Sequence, residues 1–241
     1  MGGDNHLTNR IAVLMYHAVT QRPLSPFDVS TSTFTAHLDA ICTAVTSKPS
    51  DVSIILTFDD GLISHYETVL PELATRGMSG LFFLSPGLIG TPGFMEWEHV
   101  ASLLEMGMTI GSHSISHVNL ALLDRDEALR EMLESRIMLE DRLGIEIADL
   151  ALPGGFAPRD VEQLATLTGY SRVFTSAPLL WDRYSMCVPR ICLRETVNLA
   201  EVNQIIAGTR SQYVRQEQLK YAVRVVAGPR IYSKLHDLFR G

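Results

Sequence analysis

The chain has 241 residues, 46% of them hydrophobic, enough to bury one sizeable core in a single domain and to make a two-domain split unnecessary. Its net charge of −7 argues against nucleic acid as the main partner, because neutralising phosphates takes a basic surface. Three cysteines, Cys42, Cys187 and Cys192, give neither an even framework nor a Cys-x-x-Cys spacing, so reduced thiols are expected.

Residues 1–10 lack the apolar core of a signal peptide, and no stretch approaches the ~20 apolar residues of a membrane span, so the expected location is cytoplasmic. Residues 11–16 make the first strand-like run, and His17 follows it. Phe34, Leu38, Ile41 and Val45 then keep a helical stripe. The β-like run 52–58 ends in Asp59, Asp60 and Gly61. Adjacent aspartates at a strand end project to opposite sides of the pleat, so one can ligate a cation while the other handles a proton. Ser64 and Glu67 have capping-box spacing for a helix ending near Gly77. Beyond the strand-like run 81–84, a loop rich in Gly and Pro leads to Trp97, an aromatic that can either stack on a sugar ring or anchor the next helix in the core.

The run 108–112 leads into His113 and His117, four residues apart and able to meet one cation from a helix start or a tight loop. With Asp60 they make an Asp-His-His set with an open position, and Asp59 stands beside it as a base: a pattern suited to metal-assisted hydrolysis. No Glu follows His113, so the zincin pattern is absent and the base falls to Asp59. Such donors accept zinc, cobalt, nickel or iron. Residues 124–143, closed by Gly144, are the longest helix candidate. The run 149–152 enters the turn Pro153, Gly154, Gly155, and the runs 172–175 and 188–193, the latter holding Arg190, complete seven strand candidates. Alternation of strand-like and helix-like runs implies parallel strands with helical crossovers. The acidic, histidine and turn residues then sit at the carboxyl ends of strands, the active-site face of a parallel barrel. Alternation alone fits an open doubly wound sheet equally well.

The stretches Thr57-Phe58-Asp59-Asp60-Gly61 and His113-Ser-Ile-Ser-His117 resemble the first two motifs of the polysaccharide deacetylases with a NodB homology domain, carbohydrate esterase family four. The similarity runs from about residue 11 to about residue 193. It implies an α/β fold, a distorted (β/α)7 barrel, with Asp59 as catalytic base and Asp60, His113 and His117 as ligands of a divalent metal, usually zinc. It also implies the removal of N-acetyl groups from an amino-sugar-containing polysaccharide, oligosaccharide or lipid-linked saccharide. The family's third motif opens with an arginine that orients the base. Here Pro153, Gly154 and Gly155 keep the turn, Ala151 replaces the arginine, and Arg190 is the candidate substitute. The late Leu-x-His motif that supplies a general acid is not recognisable. The Tyr16-His17 pair is similar to one in the exopolysaccharide-deacetylase branch, so His17 rather than His236 is expected to take that role.

Competing readings are a deformylase or amidase with the same metal set, a non-catalytic sugar-binding relic, and, from Asp59-Asp60 alone, a magnesium-dependent phosphatase that would not need the histidines. The expected organisation is a barrel over residues 1–208 and a basic helical tail over 209–241. That tail carries seven Lys and Arg against Glu217 and Asp237, a balance of +5 that leaves −12 on the rest of the chain. Ile231, Leu235 and Leu238 give it one apolar face, suited to capping the barrel or to lying on an anionic membrane surface.

Overall fold

The computed structural model describes residues 10–47 and 52–238, the side chains of residues 47 and 230–238 excepted. The expectations for His236 and for the apolar face at Ile231, Leu235 and Leu238 lie outside the described side chains. In chain order the elements are β1 (Arg10–Tyr16), β2 (Val19–Thr20), β3 (Val29–Ser30), α1 (Thr31–Ser47) and β4 (Val52–Phe58). A π-helical turn (His65–Val69) runs into α2 (Leu70–Thr75), followed by β5 (Leu81–Leu84), α3 (Trp97–Glu105), β6 (Thr109–Ser112) and α4 (Arg125–Leu143). The remainder is β7 (Asp149–Ala151), α5 (Val161–Thr168), β8 (Arg172–Phe174), β9 (Cys187–Val188), β10 (Ile191–Cys192), α6 (Leu199–Ile206) and α7 (Gln212–Leu238).

Eight strands form one sheet in the order β10-β1-β4-β5-β6-β7-β8-β9, and every pairing in it is parallel. β9 and β10 lie at opposite edges of that order, yet only Pro189 and Arg190 separate them, a reach of roughly 11 Å. The sheet must therefore curl until its edges meet. β9 and β10 together act as one stave interrupted at a proline, which has no N–H to give a ladder. This is the distorted seven-stave barrel expected from the resemblance, not a flat open sheet.

Closure explains the sequence pattern. With helices outside and side chains inside, both faces of each strand are covered, so β1 is buried from Ile11 to Tyr16 and reads as an unbroken apolar run. Alternate residues still divide: Ile11, Val13, Leu81, Phe83, Ala151, Phe174 and Val188 fill the interior, while Ala12, Leu14 and Tyr16 join the larger core under the helices. The same parity carried past the strand ends turns His17, Asp59, His113 and Arg190 inward at the carboxyl mouth. Register holds them level, since Tyr16 is paired with Phe58 and Asp59 N–H donates to the Tyr16 carbonyl at 3.0 Å.

Local signals succeed where they rest on backbone chemistry. Asp124 caps α4 through a reciprocal capping box with Glu127, and Gly144 ends it at φ 66°. The capping box at Ser64 does not form: Ser64 Oγ instead accepts the Val19 N–H, and the segment opens as a π-turn. Val45 leaves the stripe of α1 and is 63% exposed. The last expected strand, 188–193, is split in two. Among the described residues no helix is long and apolar enough to cross a membrane.

Candidate metal centre and base

β4 delivers Asp59 and Asp60 to the mouth of the barrel, and β6 delivers His113. Asp59 follows the inward parity and is 2% exposed. Asp60 breaks parity with a left-handed backbone at φ 82°, and Ser114 and His117 adopt φ 59° and 61°. Three of the four positive-φ residues other than glycine among the described residues thus lie on the two loops of this centre. Such conformations cost about 1–3 kcal/mol each and persist only when the surroundings fix them.

The expected ligand trio converges. Asp60 Oδ1 lies 3.0 Å from His117 Nε2 and 3.3 Å from His113 Nε2, and one ligand atom from each residue falls within 4.8 Å of the others. His113 Nδ1 lies 2.9 Å from the Ala151 carbonyl, which can only accept, so Nδ1 carries the proton and Nε2 presents a lone pair. That lone pair faces Asp60 Oδ1, a buried oxygen with no hydrogen-bond partner. Two such groups at this distance can be bridged by a proton or by a metal cation. The donor set of one carboxylate and two imidazoles fits a divalent transition metal.

Arg190 reaches Asp59 from the break between β9 and β10. Its Nη1 donates to Asp59 Oδ1 at 2.6 Å and its Nη2 to Oδ2 at 2.8 Å, while Nε donates to the Thr175 carbonyl at 3.1 Å. The guanidinium, 1% exposed, rests 5.3 Å from the Phe83 ring centroid. Ala151 belongs to the same interior cluster as Phe83 and Phe174. With alanine at 151, Arg190 is the arginine that holds Asp59. Burial works to raise the Asp59 carboxyl, but the charge and hydrogen bonds of Arg190 hold the group below the ordinary carboxylate range. Asp59 Oδ2 lies 3.9 Å from His113 Nε2, so the base borders the metal trio without joining it.

His17 stands beside Asp59 at the end of β1, with its ring centroid 5.2 Å from that of Phe27 and its Nδ1 buried without a hydrogen-bond partner. Burial pushes its pKa down, yet Cys192 and the negative charges of Asp60 and Asp59 raise it to about 9. These residues line a cavity of about 720 Å³. α7 supplies part of its wall: Arg224 Nη2 donates to the Gly154 carbonyl at 2.8 Å, and its guanidinium lies 4.4 Å from the Phe156 ring centroid.

Of the expected turn, Gly154 and Gly155 border the cavity, whereas Pro153 is buried behind it. Trp97 is not at the site. It begins α3, packs half-buried against the main core under Arg142 at 5.5 Å, and lies outside the cavity lining, because the loop before it folds back over Gly61. The cavity's aromatic residues are Phe27, Phe156 and Tyr221. Phe27 and Tyr221 carried no motif, since only the packing of a loop and of a distant helix brings them here.

Among known proteins, residues 46–173 match the family described as Polysaccharide deacetylase. The chain is 25% identical over 182 residues to YxkH of Bacillus subtilis (strain 168), named for a polysaccharide deacetylase, covering 70% of this chain and 65% of that protein. It is 30% identical over 103 residues to a chitin deacetylase of Pestalotiopsis sp, covering 42% and 34%. The chain thus spans less than two thirds of the length of these curated relatives. Solved structures with the same fold include the deacetylase PplD of Streptococcus pyogenes in complex with acetate, at TM-score 0.74 and 19% identity over 82% of this chain and 98% of that one. IcaB from Ammonifex degensii matches at TM-score 0.70 and 23% identity over 82% and 96%.

Proposed function

The chain belongs to the polysaccharide deacetylase family, and from that membership we propose that it is a metal-dependent hydrolase removing N-acetyl groups from an amino-sugar-containing saccharide. The observation that carries this reading is the placement of Asp59, locked by Arg190, 3.9 Å from His113 Nε2 of the Asp60, His113 and His117 trio. A divalent cation held by that trio, zinc by preference, would supply Lewis acidity.

Asp59 stays ionised beside Arg190 and accepts a proton from the attacking water at Oδ2, the oxygen facing the trio. The ion pair that holds it also weakens it as a base, so the water it deprotonates must be acidified, which suits a site built around a cation. His17, its pKa raised to about 9, gives its proton to the leaving amine, so that acetate and a free amino sugar are released. Phe27 and Tyr221 offer apolar faces to sugar rings, with Glu217, Lys220 and Arg224 of α7 forming part of the wall of the site. A sugar-binding relic would have no use for a buried carboxylate held by a dedicated arginine, which costs desolvation without a binding role.

The test is acetate release from N-acetylglucosamine oligomers and from lipid-linked N-acetylated saccharides, with metal-stripped protein, zinc- or cobalt-reloaded protein, and Asp59→Asn. Metal-dependent acetate release that disappears in the variant supports the reading. Release of formate instead of acetate from the matching substrates would move it to a deformylase, and tight metal binding with no turnover on any acceptor would sink it.

A further inference from the structure

Glu131 lies on α4 and contributes no donor to the metal trio, yet its carboxylate accepts three hydrogen bonds, all from the loop between the two histidines. Oε2 accepts the N–H groups of Ile115 at 3.0 Å and Ser116 at 3.1 Å, and Oε1 accepts the Ser116 hydroxyl at 2.6 Å. On the opposite side the Ile115 carbonyl accepts the Gly87 N–H at 2.9 Å. The loop is therefore held at its centre, between Ser114 and His117, the two residues in left-handed conformations.

The two histidines depend on this loop unequally. His113 closes a strand, is buried, and is oriented by its own hydrogen bond to the Ala151 carbonyl. His117 follows the loop, its side chain is 38% exposed, and its Nε2 meets Asp60 only if the backbone before it keeps its path. Neither Ser114 nor His117 is a glycine, so the conformations that aim His117 inward are unfavourable unless something outside the loop imposes them.

We infer that Glu131 is a positioning residue for the metal centre: its carboxylate fixes residues 115–116 and so brings His117 Nε2 beside Asp60 and His113. The inference rests on the metal reading above and adds a group that acts on the metal through another residue, as outer hydrogen-bonding partners of ligands do. The three contacts need acceptor geometry more than charge. A glutamine can offer its amide oxygen to the two N–H groups and turn its NH2 to the Ser116 hydroxyl, so Glu131→Gln preserves them while Glu131→Ala removes all three.

The experiment measures zinc affinity by chelator competition on the metal-stripped full chain, comparing wild type, Glu131→Ala, Glu131→Gln and Arg136→Ala. Arg136 sits on the same helix and bonds Glu140 and the Thr168 carbonyl, away from the loop, so it reports general damage to α4. Glu131→Ala should bind zinc roughly 10- to 100-fold more weakly and change the visible spectrum of the cobalt-loaded protein. Glu131→Gln and Arg136→Ala should stay within about threefold of wild type, less than 1 kcal/mol of binding. Zinc affinity in Glu131→Ala equal to wild type, a loss in Glu131→Gln as large as in Glu131→Ala, or an equal loss in Arg136→Ala would each overturn the inference. Failure of wild type itself to bind zinc or cobalt would overturn the metal reading as well.

Discussion

Arg190 grips Asp59 by both carboxylate oxygens, and the two residues are 1% and 2% exposed. The pair spans the place where the barrel closes, with the arginine from the interrupted stave and the aspartate from the end of β4. A planar fork on a carboxylate fixes the orientation of the base as well as its charge. Replacing Arg190 by Met leaves that carboxylate buried without its cation, a loss of about 3–5 kcal/mol. The double variant Asp59→Asn/Arg190→Met should recover most of the loss. Urea unfolding of the single and double variants checks this, and a double variant no more stable than Arg190→Met would refute it.

Asp59 and Asp60 are neighbours in sequence with separate tasks. Asp59→Asn should lower turnover by about 100-fold or more while zinc content stays near wild type. Asp60→Ala and His113→Ala should lose zinc and turnover together. Metal analysis alongside acetate release separates the cases, and near-normal turnover of zinc-loaded Asp59→Asn would remove Asp59 from the base role.

His65 is wholly buried between Phe58 and Phe82, and its Nε2 meets the His17 carbonyl at 3.1 Å while Nδ1 has no hydrogen-bond partner. Burial lowers its pKa to about 4. Between the unfolded value of about 6.5 and that figure, the unfolded chain takes up a proton that the folded chain refuses. Stability from this group is complete above pH 6.5 and falls as pH drops toward 4, by an amount on the order of 3 kcal/mol. His65→Gln should be less stable at pH 7 but show a shallower decline between pH 7 and 4.5. Chemical denaturation of metal-free protein across that range decides, and parallel declines would exclude His65 as the cause.

Gly155 has φ 69°, and a Cβ there would come within 2.0 Å of Ser176 Oγ. Gly155→Ala should cost about 1–3 kcal/mol of stability and, by shifting the Gly154 carbonyl that Arg224 holds, raise KM more than it lowers kcat. Unfolding curves and saturation kinetics on an active substrate test both parts, and an unchanged KM would show that the turn does not shape the substrate wall.

Strand positions and the clustering of Asp60, His113 and His117 were legible in the chain because both depend on short-range rules. Strands that are covered on both sides read as apolar runs, and a cation site needs particular donors at strand ends and close spacings. The aspartates and histidines sat where those rules put them. Arg190 was legible only as a residue type in a late strand, whereas Glu131, Phe27 and Arg224 carried no signal. Each of these acts through a side chain reaching another element, and sequence separation says nothing about such a reach. Trp97 stayed ambiguous for the same reason, since an aromatic after a glycine-rich loop fits a groove wall and a helix anchor equally well.

What the sequence by itself determined is the set of staves, the chemistry at their carboxyl ends and the Asp-His-His donor set, because periodicity and ligand chemistry are properties of residues and their neighbours. What only the tertiary structure decided is how the sheet closes: the curl that brings the edge strands β9 and β10 together carries Arg190 across to Asp59, and the left-handed turns at Asp60 and His117 aim two donors at one point. Closure and strained turns are set by packing summed over the whole barrel, and no local stretch of sequence contains that sum.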